Sequence, residues 1–199
     1  MKKMLVLLAV ILLSSTVWAV TTRTAENLQL AYNGESNAHA RYVEFAKQAE
    51  KDGYPSVASL FRAAARAEEV HAANHANVMK KMGVQPTLKL DPVTPKTTRE
   101  NLEVAVKGEV YERDTMYPDF LKIARSEANA GAIETFNEAK AAEAEHAKLY
   151  SAALAQLGSL KGKTAQYFVC TVCGYTTTKI DFEKCPVCFS PKEKYVAVS

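Results

Sequence analysis

Glu68-x-x-His71 recurs 75 residues later as Glu143-x-x-His146. Residues three apart on a helix share a face about one turn apart, so each pair can present a carboxylate and an imidazole to one point. Each pair also follows a further glutamate at nearly the same distance: Glu35 lies 33 residues before Glu68, and Glu109 lies 34 before Glu143. That spacing suits one helix, a short turn and a second helix running back alongside the first. Two glutamate-donating helices with two Glu-x-x-His helices form the ligand pattern of a di-iron site inside a four-helix bundle.

The repeat extends beyond these residues. At the same offset Tyr42 falls on Tyr117, Phe45 on Phe120, Ala49 on Ala124, Phe61 on Phe136, Ala64 on Ala139 and Ala67 on Ala142. The chain therefore reads as a duplicated helical hairpin. The two halves are not identical. Glu35 maps onto Val110, so the matching glutamate has slipped by one position to Glu109, and Asn37 maps onto Glu112, which adds a carboxylate. An asymmetric site is expected. His75 shares the face of Glu68 and His71 one turn further on, and is read as a bundle-end or surface histidine ahead of a ligand. His39 is expected to be partly exposed, Glu69, Glu103 and Glu145 solvated, and Met79, Met82 and Met116 packed in the core or at the bundle ends.

Four helical stretches can position these residues. The first runs from about Thr24 to Lys51 and stops at Asp52-Gly53. The second follows Tyr54-Pro55 and ends near Met82-Gly83. Val84 to Lys96 contains Pro86, Pro92 and Pro95, so it is a long crossover rather than a helix. Thr97-x-x-Glu100 is a capping-box signal for a third helix that continues to about Arg125, with a kink expected at Pro118. The fourth runs from about Ala130 to Leu157 and stops at Gly158. A short, a long and a short connection give an all-α ferritin-like four-helix bundle.

Residues 1–19 differ in character from the rest. Lys2 and Lys3 precede an apolar run, Met4 to Leu13, and then Ser14, Ser15, Thr16 and Val17-Trp18-Ala19. A basic start, a short apolar core and small residues before the junction form a secretory signal, with cleavage expected at Ala19–Val20. The protein is then exported, to a periplasm for instance; an uncleaved leader anchoring it to the membrane is the alternative. The apolar run is too short to span a bilayer comfortably, so no stable membrane insertion is expected. The formal net charge is +3, or +1 without the two leader lysines (3 − 2). The lysines alternate with acids and form no basic stripe, which argues against a nucleic-acid partner.

The four cysteines are gathered near the C-terminus as Cys170-x-x-Cys173 and Cys185-x-x-Cys188. Two paired thiolate knuckles build a tetrahedral sulfur site for zinc or a single iron. Two structural disulfides are the competing reading in an exported protein. Tyr167, Phe168, Tyr175, Phe182 and Tyr195 can supply the apolar shell such a module needs. Spacing leaves zinc and iron open; an oxidisable neighbour favours iron, which passes single electrons.

Together Gly34-Glu35-Ser36, Glu68-x-x-His71, Gly108-Glu109-x-x-Glu112, Thr115-Met116-Tyr117-Pro118, Glu143-x-x-His146 and Cys185-Pro-Val-Cys188 closely resemble the rubrerythrin family. The resemblance covers about residues 22–199 and implies a di-iron bundle over 20–161 and a small rubredoxin-like β domain over 162–199. It implies a non-haem di-iron centre plus one mononuclear iron held by Cys170, Cys173, Cys185 and Cys188. It implies reduction of hydrogen peroxide to water, with electrons from an upstream redox protein entering through the cysteine-bound iron.

By the same resemblance Glu68 and Glu143 bridge two irons, and Glu35 and Glu112 complete one, with His71 able to replace Glu112. Glu109 and His146 complete the other, and Tyr42 and Tyr117 are phenols bonded beside the ligands. Five carboxylates against two ferrous ions leave −5 + 4 = −1, and against two ferric ions −5 + 6 = +1, so the anionic shell favours the oxidised state.

A homodimer with head-to-tail contact is also implied, because the connector from Gly158 to Lys163 is short. A ferroxidase or iron-storage protein is the first alternative, and a non-enzymatic protein with a zinc-filled cysteine site the second. Two features depart from the family's pattern: the export leader, and Phe189 where the residue after the last cysteine is usually glycine. That position is expected to need φ > 0.

Overall fold

A computed structural model describes residues 22–199. The leader, its Ala19–Val20 junction and Trp18 lie outside the described residues. Helix α1 (Arg23–Lys51) begins at Thr22, whose hydroxyl accepts the Ala25 N–H, and ends at Asp52. The chain turns there on Gly53, at φ +83°. Helix α2 (Pro55–Lys81) opens on proline, which presets φ and whose missing N–H would have had no helical partner. Helix α3 (Thr98–Tyr111) carries the Thr97–Glu100 capping box in both directions. Helix α4 (Tyr117–Ser126) follows, and α5 (Ala130–Ala155) starts where Asn129 accepts the Ala132 N–H. Among the described residues no helix is long and apolar enough to cross a membrane.

The third helix departs from expectation. It is interrupted upstream of Pro118, by a π-helical turn over Glu112–Met116 that joins α3 to α4. The Tyr117 N–H reaches back five residues to the Glu112 carbonyl, and Pro118 sits at the start of α4, where a missing N–H is tolerated.

The bundle core divides in two, as the duplication requires. Tyr42, Phe45, Leu60, Phe61, Leu102 and Tyr150 fill one end. Leu28, Met79, Tyr117, Leu121 and Phe136 fill the other, with Phe120, Met82 and Met116 against them. The repeated aromatics thus occupy opposite ends, and the ionisable layer lies between two apolar plugs.

The crossover 84–97 has no regular structure but is held to α1 by side-chain amides. Gln29 exchanges two hydrogen bonds with the Thr87 backbone, each 2.8 Å. Asn33 accepts the Lys89 N–H at 2.9 Å. Asn37 donates to the Lys89 carbonyl at 2.8 Å and accepts the Asp91 N–H at 2.7 Å.

The C-terminal domain is a three-stranded antiparallel sheet in the order β2-β1-β3, formed by β1 (Tyr167–Cys170), β2 (Thr176–Thr177) and β3 (Tyr195–Val198). Its two knuckles are alike: the Gly174 N–H bonds the Cys170 carbonyl, and the Phe189 N–H bonds the Cys185 carbonyl. Gly174 has φ +77° and Phe189 φ +59°, with the Phe189 ring 72% exposed. The expectation of a positive φ at Phe189 is met, at the cost of left-handed backbone on a bulky residue. Phe189→Gly should raise the urea resistance of the metal-loaded domain by roughly 0.5–1 kcal/mol, after allowing for glycine's freer unfolded state. A lower midpoint would mean the exposed ring makes a stabilising contact.

Within one chain the small domain lies against its own bundle despite the short connector. The Gly162 N–H bonds the Gly53 carbonyl and the Ser56 N–H bonds the Lys163 carbonyl, which fixes the connector at the α1–α2 turn. The chain then runs along α2, with Val169 packed on Ala63 and Ala67. Lys163 to Cys173 is ten residues, which extended span about 33 Å, whereas Ser56 to His71 along α2 is only about 22 Å. The strand's own length supplies the reach that the connector lacks.

Candidate metal centre

Glu35 from α1, Glu68 and His71 from α2, Glu109 from α3, and Glu143 and His146 from α5 meet mid-bundle, each 0–1% exposed. Their ligand atoms form two groups, each within 4.8 Å: Glu35, Glu68, His71 and Glu143, and Glu68, Glu109, Glu143 and His146. Glu68 and Glu143 belong to both, which is the geometry of carboxylates shared by two ions. Glu112, at the start of the π turn and 9% exposed, lies outside both groups, so His71 rather than Glu112 stands with Glu35 here.

The π turn accounts for the slipped glutamate. Glu35 and Tyr42 are seven residues apart, whereas Glu109 and Tyr117 are eight. A π turn absorbs one extra residue without rotating the following helix off its face. Both glutamates and both phenols therefore point inward, and the hydrogen bonds cross between halves. Tyr42 donates to Glu109 Oε1 at 2.6 Å, and Tyr117 donates to Glu35 Oε1.

The donor set fits metal ions. Glu35 Oε2, Glu68 Oε1, Glu109 Oε2, both Glu143 oxygens and His146 Nδ1 are buried without a hydrogen-bond partner. The Glu143 oxygens lie 3.0 Å from His71 Nδ1 and 2.8 Å from His146 Nδ1, yet neither is aligned to bond. Buried polar atoms are rarely left so, and bound cations would satisfy all six. In the C-terminal site Cys170 Sγ is 3.7 Å from Cys188 Sγ, and Cys173 Sγ is 3.6 Å from Cys185 Sγ. A tetrahedron with metal–sulfur bonds of about 2.3 Å has edges of about 3.8 Å, whereas a disulfide is about 2.0 Å. All four cysteines are free, so the disulfide reading fails and the four-sulfur site stands. Tyr175, Val187 and Tyr195 pack around it, and Tyr195 donates to Cys185 Sγ at 3.1 Å; Tyr167 instead packs on the bundle.

The small domain also sets both imidazoles. His71 Nε2 is 3.0 Å from the Cys173 carbonyl, which can only accept, so Nε2 carries the proton and Nδ1 is left for metal. His146 Nε2 is 3.0 Å from Thr176 Oγ1. The Thr176 hydroxyl already donates to the Gly174 carbonyl at 3.1 Å, so it accepts from His146 and again leaves Nδ1 bare.

Without metal the cluster holds protons instead. Burial, reinforced by neighbouring carboxylates, raises Glu35 and Glu112 well above the usual range and Glu109 to about 8. Burial alone would discharge the imidazoles, but Glu143 and Glu68 beside His71, and Glu109, Glu143 and Glu68 beside His146, outweigh it and raise both. Burial also opposes ionisation of Glu68, yet the His146 and His71 imidazoles beside it, charged when no metal is bound, bring it down to about 2. Between an unfolded glutamate's pKa of about 4.5 and about 8, the folded metal-free chain thus binds more protons than the unfolded one. Its stability must therefore fall as pH rises through that window. Glu68 acts oppositely, its contribution being lost only as pH falls through about 2. Thermal scans should show the metal-free midpoint dropping between about pH 5 and 8 while the iron-loaded midpoint stays level, because the ions displace those protons. A level metal-free profile would contradict this.

Several participants escaped the sequence reading. His75 is fully buried, neither at the surface nor among the ligands, and lies against Tyr117 and Thr135. Its match at the repeat offset is Tyr150, itself buried, and that signal was available. Gly174 and Thr176 gave no local sign of contact with the bundle. His39 is partly buried, with Nδ1 2.7 Å from the Ala65 carbonyl, Glu69 and Glu103 are exposed, and Glu145 is paired with Lys148.

A family model described as Rubrerythrin matches residues 26–154. The chain is 38% identical over 177 residues to nigerythrin of Nitratidesulfovibrio vulgaris, covering 87% of this chain and 86% of that one. It is 38% identical over 176 residues to rubrerythrin-2 of Clostridium acetobutylicum, covering 87% and 96%. A solved structure of fully reduced, all-ferrous nigerythrin superposes with a TM-score of 0.80 at 36% identity, over 93% of this chain and 91% of that one.

Proposed function

This chain belongs to the rubrerythrin family, di-iron oxidoreductases of oxidative-stress defence, and we propose that it reduces hydrogen peroxide to water with electrons entering through its cysteine-bound iron. The observation that carries this reading is the His71–Cys173 hydrogen bond. The carbonyl of a thiolate ligand touches an imidazole of the carboxylate cluster, so one hydrogen bond links the two centres. A ferroxidase or storage protein needs no such inlet, and zinc in the cysteine site could not use it.

The reaction takes one peroxide, two electrons and two protons to two waters. Bound iron supplies the electrons and polarises the O–O bond. Glu68 and Glu143 would hold both ions, Glu35 and His71 one, and Glu109 and His146 the other. Tyr42 and Tyr117 keep one oxygen of Glu109 and of Glu35 engaged, leaving the second oxygen of each for metal. The apolar plugs at either end exclude water from the layer between them. Glu112, at the edge of the cluster, is the remaining buried carboxylate that would be available to an ion there.

Anaerobic reduction should bleach the colour of the cysteine-bound iron, and peroxide should restore it at two electrons per molecule. A protein that stays colourless when oxidised, or that oxidises and accumulates added ferrous iron without responding to peroxide, would refute the reading.

The assembled form on this reading is a homodimer that exchanges small domains head to tail. The same residues can meet in trans if the chain opens between Lys163 and β1. Mixing a Cys188→Ser variant with a Glu68→Ala variant should then restore turnover, and no restoration would leave the contact within one chain. Export belongs to the same proposal: mass spectrometry should find a mature chain starting at Val20, and an intact Met1 in the cytoplasm would refute it.

A further inference from the structure

Tyr42 and Tyr117 play matching parts in the two halves, but what stands behind them differs. Behind Tyr117, the phenol oxygen is 3.1 Å from His75 Nε2, and His75 Nδ1 is 3.0 Å from Thr135 Oγ1. Tyr117 and His75 are 0% exposed and Thr135 5%. The proton positions follow from donor counting. With Glu35 an ionised ligand, the single Tyr117 proton goes to Glu35 Oε1, so the phenol oxygen can only accept from His75. Nε2 therefore carries the imidazole proton, and the bare Nδ1 accepts the Thr135 hydroxyl. Burial lowers His75 to about 3, which keeps the ring neutral, with one donor and one acceptor as the chain requires.

The first half has no such chain. At the repeat offset Tyr150 replaces His75 and Leu60 replaces Thr135. The Tyr150 ring packs 5.5 Å from Tyr42, but its hydroxyl is buried without a partner. Tyr42 is thus held to Glu109 by its own hydrogen bond alone, while Tyr117 is fixed from behind as well.

We propose that His75 and Thr135 are positioning residues that lock the Tyr117 hydroxyl as a donor to Glu35, so that ion affinity in the Glu35–His71 half depends on this chain and affinity in the Glu109–His146 half does not. The inference rests on the ligand reading given above. Its physical basis is preorganisation. A carboxylate whose Oε1 is pinned holds Oε2 toward the cluster before an ion arrives, and partners behind a metal ligand commonly govern affinity by about 10–100-fold.

The test is anaerobic titration of ferrous iron into protein whose cysteine site is already filled, followed by calorimetry. Wild-type protein should take two ions in the bundle; if it does not, the ligand reading fails before the role of His75 is reached. His75→Leu should weaken one of the two ions by about 10–100-fold and leave the other nearly unchanged. His75→Gln, whose amide N–H can still donate to Tyr117, should recover most of that loss. Thr135→Val, nearly isosteric, should weaken the same ion by less, and Tyr150→Phe should weaken neither. Unchanged binding in both His75→Leu and Thr135→Val, equal weakening of both ions, or no recovery in His75→Gln would each overturn the proposal.

Discussion

Gly174→Ala is expected to lower steady-state turnover from an external donor by on the order of 100-fold, while a pre-reduced bundle still consumes its first peroxide at the normal rate. A Cβ at residue 174 would overlap His71 Nε2 and stand 3.1 Å from the Ala67 carbonyl. Neither neighbour can yield: one is the ring that the cluster needs in place, the other is helix backbone. The residue also sits at φ +77°, where alanine is strained. The small domain must then back away from α2, which breaks the His71–Cys173 hydrogen bond that links the two centres, while bound iron keeps His71 Nδ1 engaged. Comparing single-turnover with multiple-turnover kinetics separates loss of the inlet from damage to the cluster. Equal loss in both would mean the domain contact only stabilises the fold.

Glu143→Ala is expected to weaken ferrous binding at the bundle about a thousandfold and abolish turnover, while the cysteine-bound iron keeps its visible spectrum. Glu143 is common to both ligand groups and neither of its buried oxygens has a hydrogen-bond partner. Removing one member of a buried charged set costs about 3–5 kcal/mol because the others are left uncompensated. The metal-free protein should respond differently. Four crowded carboxylates repel less than five, so its thermal midpoint should hold or rise, whereas the stabilisation gained on iron loading should vanish. Retention of two bundle ions with near-normal turnover would remove Glu143 from the ligand set.

The pairs Glu68–His71 and Glu143–His146 were legible in the sequence because helical periodicity alone puts each pair on one face. Their convergence was legible because the aromatic repeat shares their offset. The one-residue slip to Glu109 was equally visible, but not its cause: a π turn arises from how Glu109 and Tyr117 must both face inward, a tertiary requirement that local propensity does not encode. His75 shows the same limit. Its spacing from His71 says which face it takes, but not that Tyr117 and Thr135 from other helices close over it. The docking of the small domain was hidden most fully. Ala63 and Ala67 read as ordinary helix formers, yet their small side chains leave the flat patch that receives Val169. At Ala63's place in the repeat the other half carries Glu138.

The amide ladder on α1 imposes a rule of parity on the crossover. Gln29, Asn33 and Asn37 recur every four residues, and the backbone groups they hold, at Thr87, Lys89 and Asp91, recur every two. Four helical residues rise about 6.0 Å and two extended residues about 6.6 Å, so the two periods are nearly commensurate. Pro86 and Pro92 fall on the alternate positions, where no N–H is asked for, which is how proline-rich chain can be held as tightly as a sheet edge. Within the ladder, length can change only by pairs of residues, each pair matched by one further turn of α1. A single residue deleted between Thr87 and Asp91 would turn the next N–H away from its amide and bring Pro92 into register with Asn37 instead.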